Sequence, residues 1–496
     1  MSLRIKIPSQ ANNYIHFKMT RQVLLYIQNQ WYSLNIDDPM DYRENHKFGN
    51  DGLLITFQSP ELVRQLKKSR PFRGLPEILD LEGFEKQMAQ EGKDMRPYKK
   101  WTMLAALKYH GIAVPDFKLS QSTIRDFLGY MAVLHEYLQN KDTEEAGRFT
   151  NLESKINHII YRRQLSGVPI DLSIVQNLCA DLEKQIYQTK NILQIKYRIF
   201  NPEHEEWQKE YLVGKGYRLI KSPLFTFKSW RNEDEICQLM YEMIRNQKDM
   251  DSLLFMQSHW GGKANAYPKY LGFGTITSRI ILRDPSFQNL RKSNRKVVVA
   301  QPFHKLLYID YSQFEAGILA SLSDDSELIE LYNKDIYKDL ALAVFGDQEK
   351  RSDAKVIFYR YMYGDTTLNQ KSQQYFKKFS KLQKFKEKID KDMEKQAKVG
   401  TSYANFRSRG EEHVNWALSH IIQATASLIY KRAVVRVSVE LDRAKFLIPM
   451  HDGTVYQIFD LWYNELKPKI EQIYLEEFAK ECPKVKGQVN ITDVFS

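Results

Sequence analysis

The chain has 496 residues, enough for two to four folding units at roughly 100–200 residues each. Lys and Arg number 73 against 61 Asp and Glu, a formal net charge of +12 that favours a polyanionic partner; 27% charged and 43% apolar residues argue against a disordered or fibrous chain. Cys179, Cys237 and Cys482 form no Cys-x-x-Cys pair, which argues against a disulfide framework or thiolate zinc site, and no apolar run approaches the ~20 residues that span a bilayer.

Residues 1–36 carry no acid and include Arg4, Lys6, Lys18 and Arg21, loosely like an organellar transit peptide. They are also rich in Ile, Leu, Tyr and Trp and poor in Arg and Ser, which reads better as folded chain, so a soluble protein in the cytoplasm, with no membrane partner, is the expectation. Residues up to about 150 mix strand-like runs at 53–57 and 77–82 with a helix in WTMLAALKYHG, stopped by Gly111. From 150 to 260 the pattern is helical: one helix ends near Ser166-Gly167, Asp171 caps the next, and Ile174, Val175, Leu178, Leu182 and Ile186 recur at helical spacing. After Pro268 the pattern predicts strands at KVVVA (296–300) and KLLYID (305–310), then a helix in SQFEAGILASLS. Residues 371–398 read as one long helix with a stripe of Phe376, Phe379, Leu382, Phe385, Ile389 and Met393; ten lysines share it with four acids, either a solvated face or a surface near a phosphate backbone.

Three segments carry chemistry. Asp310 ends an apolar strand where a helix begins, a position suited to a hard-metal ligand or a plain helix cap. His451-Asp452-Gly453 sits between two apolar runs and reads as a hairpin with Asp-Gly in a turn needing positive φ. Two strand-end aspartates together suit a pair of Mg²⁺ ions in phosphoryl transfer. In RSDAKVIFYRYMYG, after the helix cap Asp347, Arg351, Lys355, Tyr359 and Tyr363 recur every four residues, so each drifts only ~40° around the helix and all share one face. Two cations followed by two aromatic rings suit a nucleoside triphosphate.

In order and local spacing, Asp310-Tyr-Ser-Gln-x-Glu315, Arg351-x3-Lys355-x7-Tyr363-Gly364 and His451-Asp452 resemble the three polymerase motifs of family-A DNA polymerases. TSRIILRDPSFQNL (277–290) and IIQATASLIYKRAV (421–434) resemble two flanking family segments, so the resemblance covers about residues 150–496. It implies an α+β right-hand polymerase fold: helical thumb at 151–260, palm with an antiparallel sheet at 261–345 and 415–496, and fingers at 346–414. It also implies template-directed DNA synthesis from dNTPs on primer-template DNA, by a monomer, with no processivity factor identified. Asp310 and Asp452 match the catalytic metal ligands for two Mg²⁺ (Mn²⁺ as a substitute), with the Tyr311 carbonyl as a further ligand. Arg351 and Lys355 match phosphate-binding residues, Lys355 also a proton donor to the leaving group. Gln313 falls in the nucleotide site, and Glu315 matches the residue that blocks a ribose 2′-hydroxyl. Tyr359 stands where the family has Phe or Tyr, the Tyr form going with weaker discrimination against dideoxynucleotides, and Tyr363 would stack by the templating position. Arg279, Gln288, Asn289, Gln423 and His451 match positions at the primer-template.

Departures from the pattern are Gly453 for the usual Glu, Ala316-Gly317 for Leu-Arg, Ala424 for Gly, and shortened fingers between Tyr363 and Gly400. Residues 1–150 stand where relatives carry a 3′–5′ exonuclease. Asp80-Leu81-Glu82 looks like its Asp-x-Glu signature, Asp94, Asp116 and Asp126 make no pattern, and the region reads as a reduced α/β exonuclease-like remnant without proofreading. The competing readings are a polymerase-shaped nucleic-acid-binding protein, a template-independent nucleotidyltransferase, and a single-subunit RNA polymerase, the last disfavoured by Glu315.

Overall fold

The computed structural model describes residues 20–48, 52–69, 74–91, 101–219, 222–260, 265–410 and 415–495. Arg4, Lys6, Lys18 and Asp94 lie outside them. The first unit is a five-stranded sheet in the order Tyr42–Arg43, Gln30–Asn35, Arg21–Ile27, Leu53–Thr56, Glu77–Asp80; the first three strands are antiparallel and the last two run parallel to Arg21–Ile27. Gln28 and Asn29, both at positive φ, make the two-residue turn between the first pair of strands. Alternation sends Val23 and Leu25 to one face, under the helix Ile124–Lys141, and Leu24 and Leu54 to the other, where they join the main core. The run at 77–82 is strand only as far as Asp80; Leu81 already begins the helix Leu81–Ala89. The helix expected around residue 105 is Met103–Tyr109, capped by Thr102, with Gly111 at φ +69.

Thr143–Arg148 continues through a π-helical turn, Phe149–Glu153, into Ser154–Ser166. The expected domain border at 150 therefore falls inside one helical run. Ser154–Ser166 packs between the first sheet and the strand Lys445–Pro449, where Arg163 Nε donates to the Phe446 carbonyl (2.6 Å). Asp171 caps Leu172–Tyr197 as expected, accepting from the Ser173 and Ile174 amides at 2.8 and 3.2 Å. That helix lies along Glu235–Trp260, and the shorter helices Glu205–Gly214 and Pro223–Trp230 close a separate small core around Leu212, Phe227 and Met240.

The second sheet, in the order Lys445–Pro449, Gly453–Phe459, His304–Tyr311, Val489–Thr492, is antiparallel throughout. Phe314–Ser323, Ala417–Glu440 and Asp460–Glu481 cover it. Two expectations fail here. KVVVA is no strand: Lys292–Val297 is 3-10 helix and Val298 makes a single bridge to Ile170, so the apolar run reflects burial of Val297 and Val298, not pairing. The 371–398 helix is two, Gln370–Lys377 and Ser380–Gln396. Its stripe is buried as expected, with Phe385 half-buried, but Asp325 from a distant turn accepts the Lys381 amide (3.0 Å) and caps a fresh helix start.

Candidate active site

The strand pairing brings two carboxylates together. Asp310 sits opposite Gly453, and the Tyr311 amide donates to the Asp452 carbonyl (3.0 Å), tying the strand end to the hairpin turn. The turn is closed by the Met450 amide on the Gly453 carbonyl (2.7 Å), and neither Asp452 nor Gly453 has the positive φ expected of Asp-Gly. Glycine is required for another reason. A Cβ at 453 would lie 2.2 Å from the Ile309 carbonyl oxygen and 2.8 Å from Asp310 Cα. The two strands approach too closely there for any side chain.

Burial, and then the negative charge of Asp452, push the Asp310 carboxyl up to about 6; the Tyr308 hydroxyl and Lys355 oppose this. Asp452 Oδ1 is buried with no hydrogen-bond partner. An orphaned carboxylate oxygen beside a second, destabilised carboxylate fits a divalent cation, which would relieve both. Among the described residues no cluster of three or more ligating side chains occurs, so this centre consists of two carboxylates. The Tyr311 side chain turns into the core, donating to the Tyr474 carbonyl (2.8 Å), so only its backbone faces the site.

Asp347 caps a 3-10 turn that leads into the helix Arg351–Met362, and the four-residue spacing yields the expected single face. Arg351 and Lys355 lie 5.1 and 5.7 Å from the ring centroid of Tyr337, Lys355 is 5.8 Å from that of Tyr359, and the Tyr359 and Tyr363 rings are 6.0 Å apart. Arg351 Nε donates to Asp335 (2.7 Å), whose left-handed backbone starts the helix Ile336–Phe345. Burial and the neighbouring Tyr337 hold the Tyr359 phenol far above its ordinary value. The Tyr363 hydroxyl accepts from Gln423 Nε2 (2.9 Å).

Glu315, buried, pairs with Arg279 at 2.5 Å, yet burial still pushes its carboxyl up to about 7, and Glu315 Oε2 has no partner. His451 is exposed in the turn; partial burial of its ring and the charge of Arg279 lower its pKa. Arg279, Glu315, Lys355, Tyr359, Tyr363, Gln423 and His451 thus converge on Asp310 and Asp452. Three expected residues do not turn free side chains to this centre. Gln288 spends its amide on the Ile280 carbonyl and Leu282 amide, Asn289 on Ser286, and Gln313 braces the Tyr332 carbonyl to the Ile336 amide.

Sequence reasoning missed Asp335, Tyr337 and Tyr308. Tyr308 had a readable signal, since it lies two residues before Asp310 in the strand and therefore shares its face. Tyr337, buried beside both cations of the helix, had none.

Comparison with known proteins places this arrangement. The model of DNA polymerase family A matches residues 232–492. DNA polymerase I of Helicobacter pylori (strain ATCC 700392 / 26695) is 26% identical over 245 residues, covering 42% of this chain and 28% of that protein. The Aquifex aeolicus DNA polymerase I is 21% identical over 377 residues (68% and 63%), and the thermostable DNA polymerase I of Thermus thermophilus (strain ATCC 27634 / DSM 579) is 29% identical over 358 residues (61% and 43%). The chain thus spans less than two thirds of the length of these relatives. In fold it is similar to the POL domain of Pol1 from M. smegmatis, solved in complex with DNA primer-template and dNTP, with a TM-score of 0.77 at 16% identity over 97% of this chain and 96% of that one. With the family model matching more than half of its residues, the chain belongs to DNA polymerase family A.

Proposed function

We propose that the protein is a template-directed DNA polymerase that extends a primer 3′-end with dNTPs. The observation that carries this reading is the convergence of Asp310 and Asp452 with Lys355, close enough for Lys355 to stabilise the Asp310 carboxylate. Asp310, Asp452 and the Tyr311 carbonyl would hold two Mg²⁺, hard cations suited to oxygen donors, with Mn²⁺ as a substitute. Bound there, the metal pair supplies activation of the primer hydroxyl and charge neutralisation on the departing pyrophosphate. Arg351 and Lys355 grip the triphosphate, and Lys355 delivers a proton to the leaving group. Tyr359 packs on the sugar and base, Glu315 fills the space of a 2′-hydroxyl, and Tyr363 stacks by the templating base. Arg279, Gln423 and His451 line the primer-template end, while Gln288, Asn289 and Gln313 brace the backbone beneath.

In this reading the thumb is 151–260, the palm 261–345 with 415–496, and the fingers 346–414, of a monomer acting in the cytoplasm. The front sheet is an exonuclease-like remnant without proofreading. Asp80 is buried against Ser59 (3.2 Å) with its carboxyl pushed up to about 7, and Glu82 pairs with Lys86, which supports the absence of an open carboxylate pair.

Labelled primer-template with Mg²⁺ and dNTPs tests the proposal. Templated extension is expected. Tight binding without extension, growth without template, or preference for rNTPs would each replace it with the corresponding rival.

The lysines of Ser380–Gln396 belong to the same reading. Lys384, Lys388, Lys391 and Lys395 are exposed at i, i+4, i+7 and i+11, one ridge opposite the buried stripe, and none makes an ion pair among the described residues. Replacing all four by Gln is expected to reduce the slope of log K against log salt for primer-template by about 3. Fluorescence anisotropy across a KCl series measures it; an unchanged slope means the ridge is only solvated.

A further inference from the structure

Behind Arg279 lies a charge cluster that the proposed chemistry does not use. Arg148, Glu153 and Lys431 are all essentially inaccessible and come from two parts of the chain: Arg148 and Glu153 from the continuous helical run through the π-helical turn, Lys431 from the helix Ala417–Glu440. They meet at one hydroxyl. Ser278 Oγ donates to Glu153 (2.8 Å) and accepts from Lys431 Nζ (2.5 Å) and Arg148 Nη2 (3.3 Å). Lys431 also donates to the other Glu153 oxygen and to the Gly272 carbonyl (3.0 Å), and Arg148 to Glu153 (3.0 Å) and the Tyr403 carbonyl (2.9 Å). Ser427 Oγ holds the Ser278 carbonyl at 2.7 Å.

So many bonds converge on a residue in an uncomfortable conformation. Ser278 has φ +62, a left-handed angle that a serine rarely adopts unaided. The next residue is Arg279. Its amide is fixed by Thr275 Oγ1 (3.0 Å), its carbonyl accepts from the Gly274 amide (2.9 Å), and its guanidinium crosses to Glu315.

We propose that Arg148, Glu153 and Lys431 are positioning residues which, by clamping Ser278 in the left-handed conformation, aim Arg279 at Glu315 and so set selection of the sugar of the incoming nucleotide. Burying two cations with one carboxylate is costly, and apolar packing would serve stability as well. What apolar side chains could not do is bind one hydroxyl from three directions. Arg148, at the end of the front unit, and Glu153, just beyond it, also make this junction part of the selection apparatus, although they lie far in sequence from the polymerase motifs. The inference rests on Glu315 facing the nucleotide sugar.

The test is single-nucleotide incorporation, measuring kcat/KM for dNTP and rNTP with wild type, Ser278→Ala, Ser278→Gly, Lys431→Met and Arg279→Ala. Ser278→Ala leaves every charge with a partner and is expected to fold; it should lower the dNTP-over-rNTP preference about tenfold, mainly through KM for dNTP. Combined with Arg279→Ala it should add little further loss, since both act through one guanidinium. Ser278→Gly tolerates positive φ but lacks the hydroxyl, and should also lose selectivity. An unchanged dNTP-over-rNTP ratio in Ser278→Ala, or full selectivity in Ser278→Gly, overturns the proposal, as do losses that simply multiply in the double variant. If Lys431→Met melts lower and loses dNTP and rNTP incorporation equally, the cluster is only a brace and the proposal falls. Wild type that extends primers but shows no preference between dNTP and rNTP would remove the Glu315 premise, whereas no extension at all would remove the polymerase reading.

Discussion

Asp310→Asn and Asp452→Asn are each expected to lower primer extension by roughly a thousandfold or more, about 4 kcal/mol of transition-state stabilisation. The same changes should leave the metal-free protein at least as stable as wild type. The sign follows from the carboxyl of Asp310, raised to about 6 in the folded chain against about 3.9 in an unfolded one. A carboxyl raised on folding makes the folded state bind its proton more tightly. Stability is therefore intact below about pH 4, falls as pH rises towards about 6, and stays reduced at pH 7, by about 1–3 kcal/mol. Asn carries no charge to repel Asp452, so the Asp310→Asn melting temperature should exceed wild type at pH 7 without divalent cation, and the difference should vanish near pH 4. Thermal melts at the two pH values, alongside extension rates, provide the check. A variant that extends within tenfold of wild type, or that melts lower at pH 7, contradicts the assignment.

Gly453→Glu, which would restore the family's usual carboxylate, is expected to destroy the site. The new Cβ would meet the Ile309 carbonyl at 2.2 Å, and that residue is pinned between Thr454 on one strand and Ile491 on the other. Relief demands that the strands part at Asp310, at a cost of more than about 3 kcal/mol. Gly453→Ala should suffer nearly as much, which distinguishes the backbone clash from any effect of charge. Urea unfolding of both variants measures it. A Gly453→Glu protein with wild-type stability and faster extension would show that the close approach is not obligatory.

What could be read from the sequence was whatever depends on near neighbours. The cap at Asp171, the strand that carries Asp310, which runs one residue further to Tyr311, and the face shared by Arg351, Lys355, Tyr359 and Tyr363 all follow from local spacing. The failures are long-range. The break before Ser380 is made by Asp325, and Arg351 is oriented by Asp335 from the turn before another helix; no periodicity in either segment signals them. Gly453 looked like a turn glycine because Asp-Gly usually is one, while its actual constraint is a carbonyl on the neighbouring strand. Gln288, Asn289 and Gln313 match family positions by type, yet their bonds run to nearby groups of the chain that a motif does not describe.

The strand Val489–Thr492 lies at the edge of the second sheet, with Asn490 opposite Asp310. The strand that carries Asp310 is thus completed by chain that lies beyond every proposed chemical residue. Such non-local pairing is slow to form, and until it forms His304–Tyr311 presents an open row of amides and carbonyls. A translation product halted before Val489 would hold all the residues for chemistry and yet behave as a sticky edge, prone to associate with its own kind. Val489–Thr492 therefore covers a reactive edge as much as it completes the sheet around Asp310.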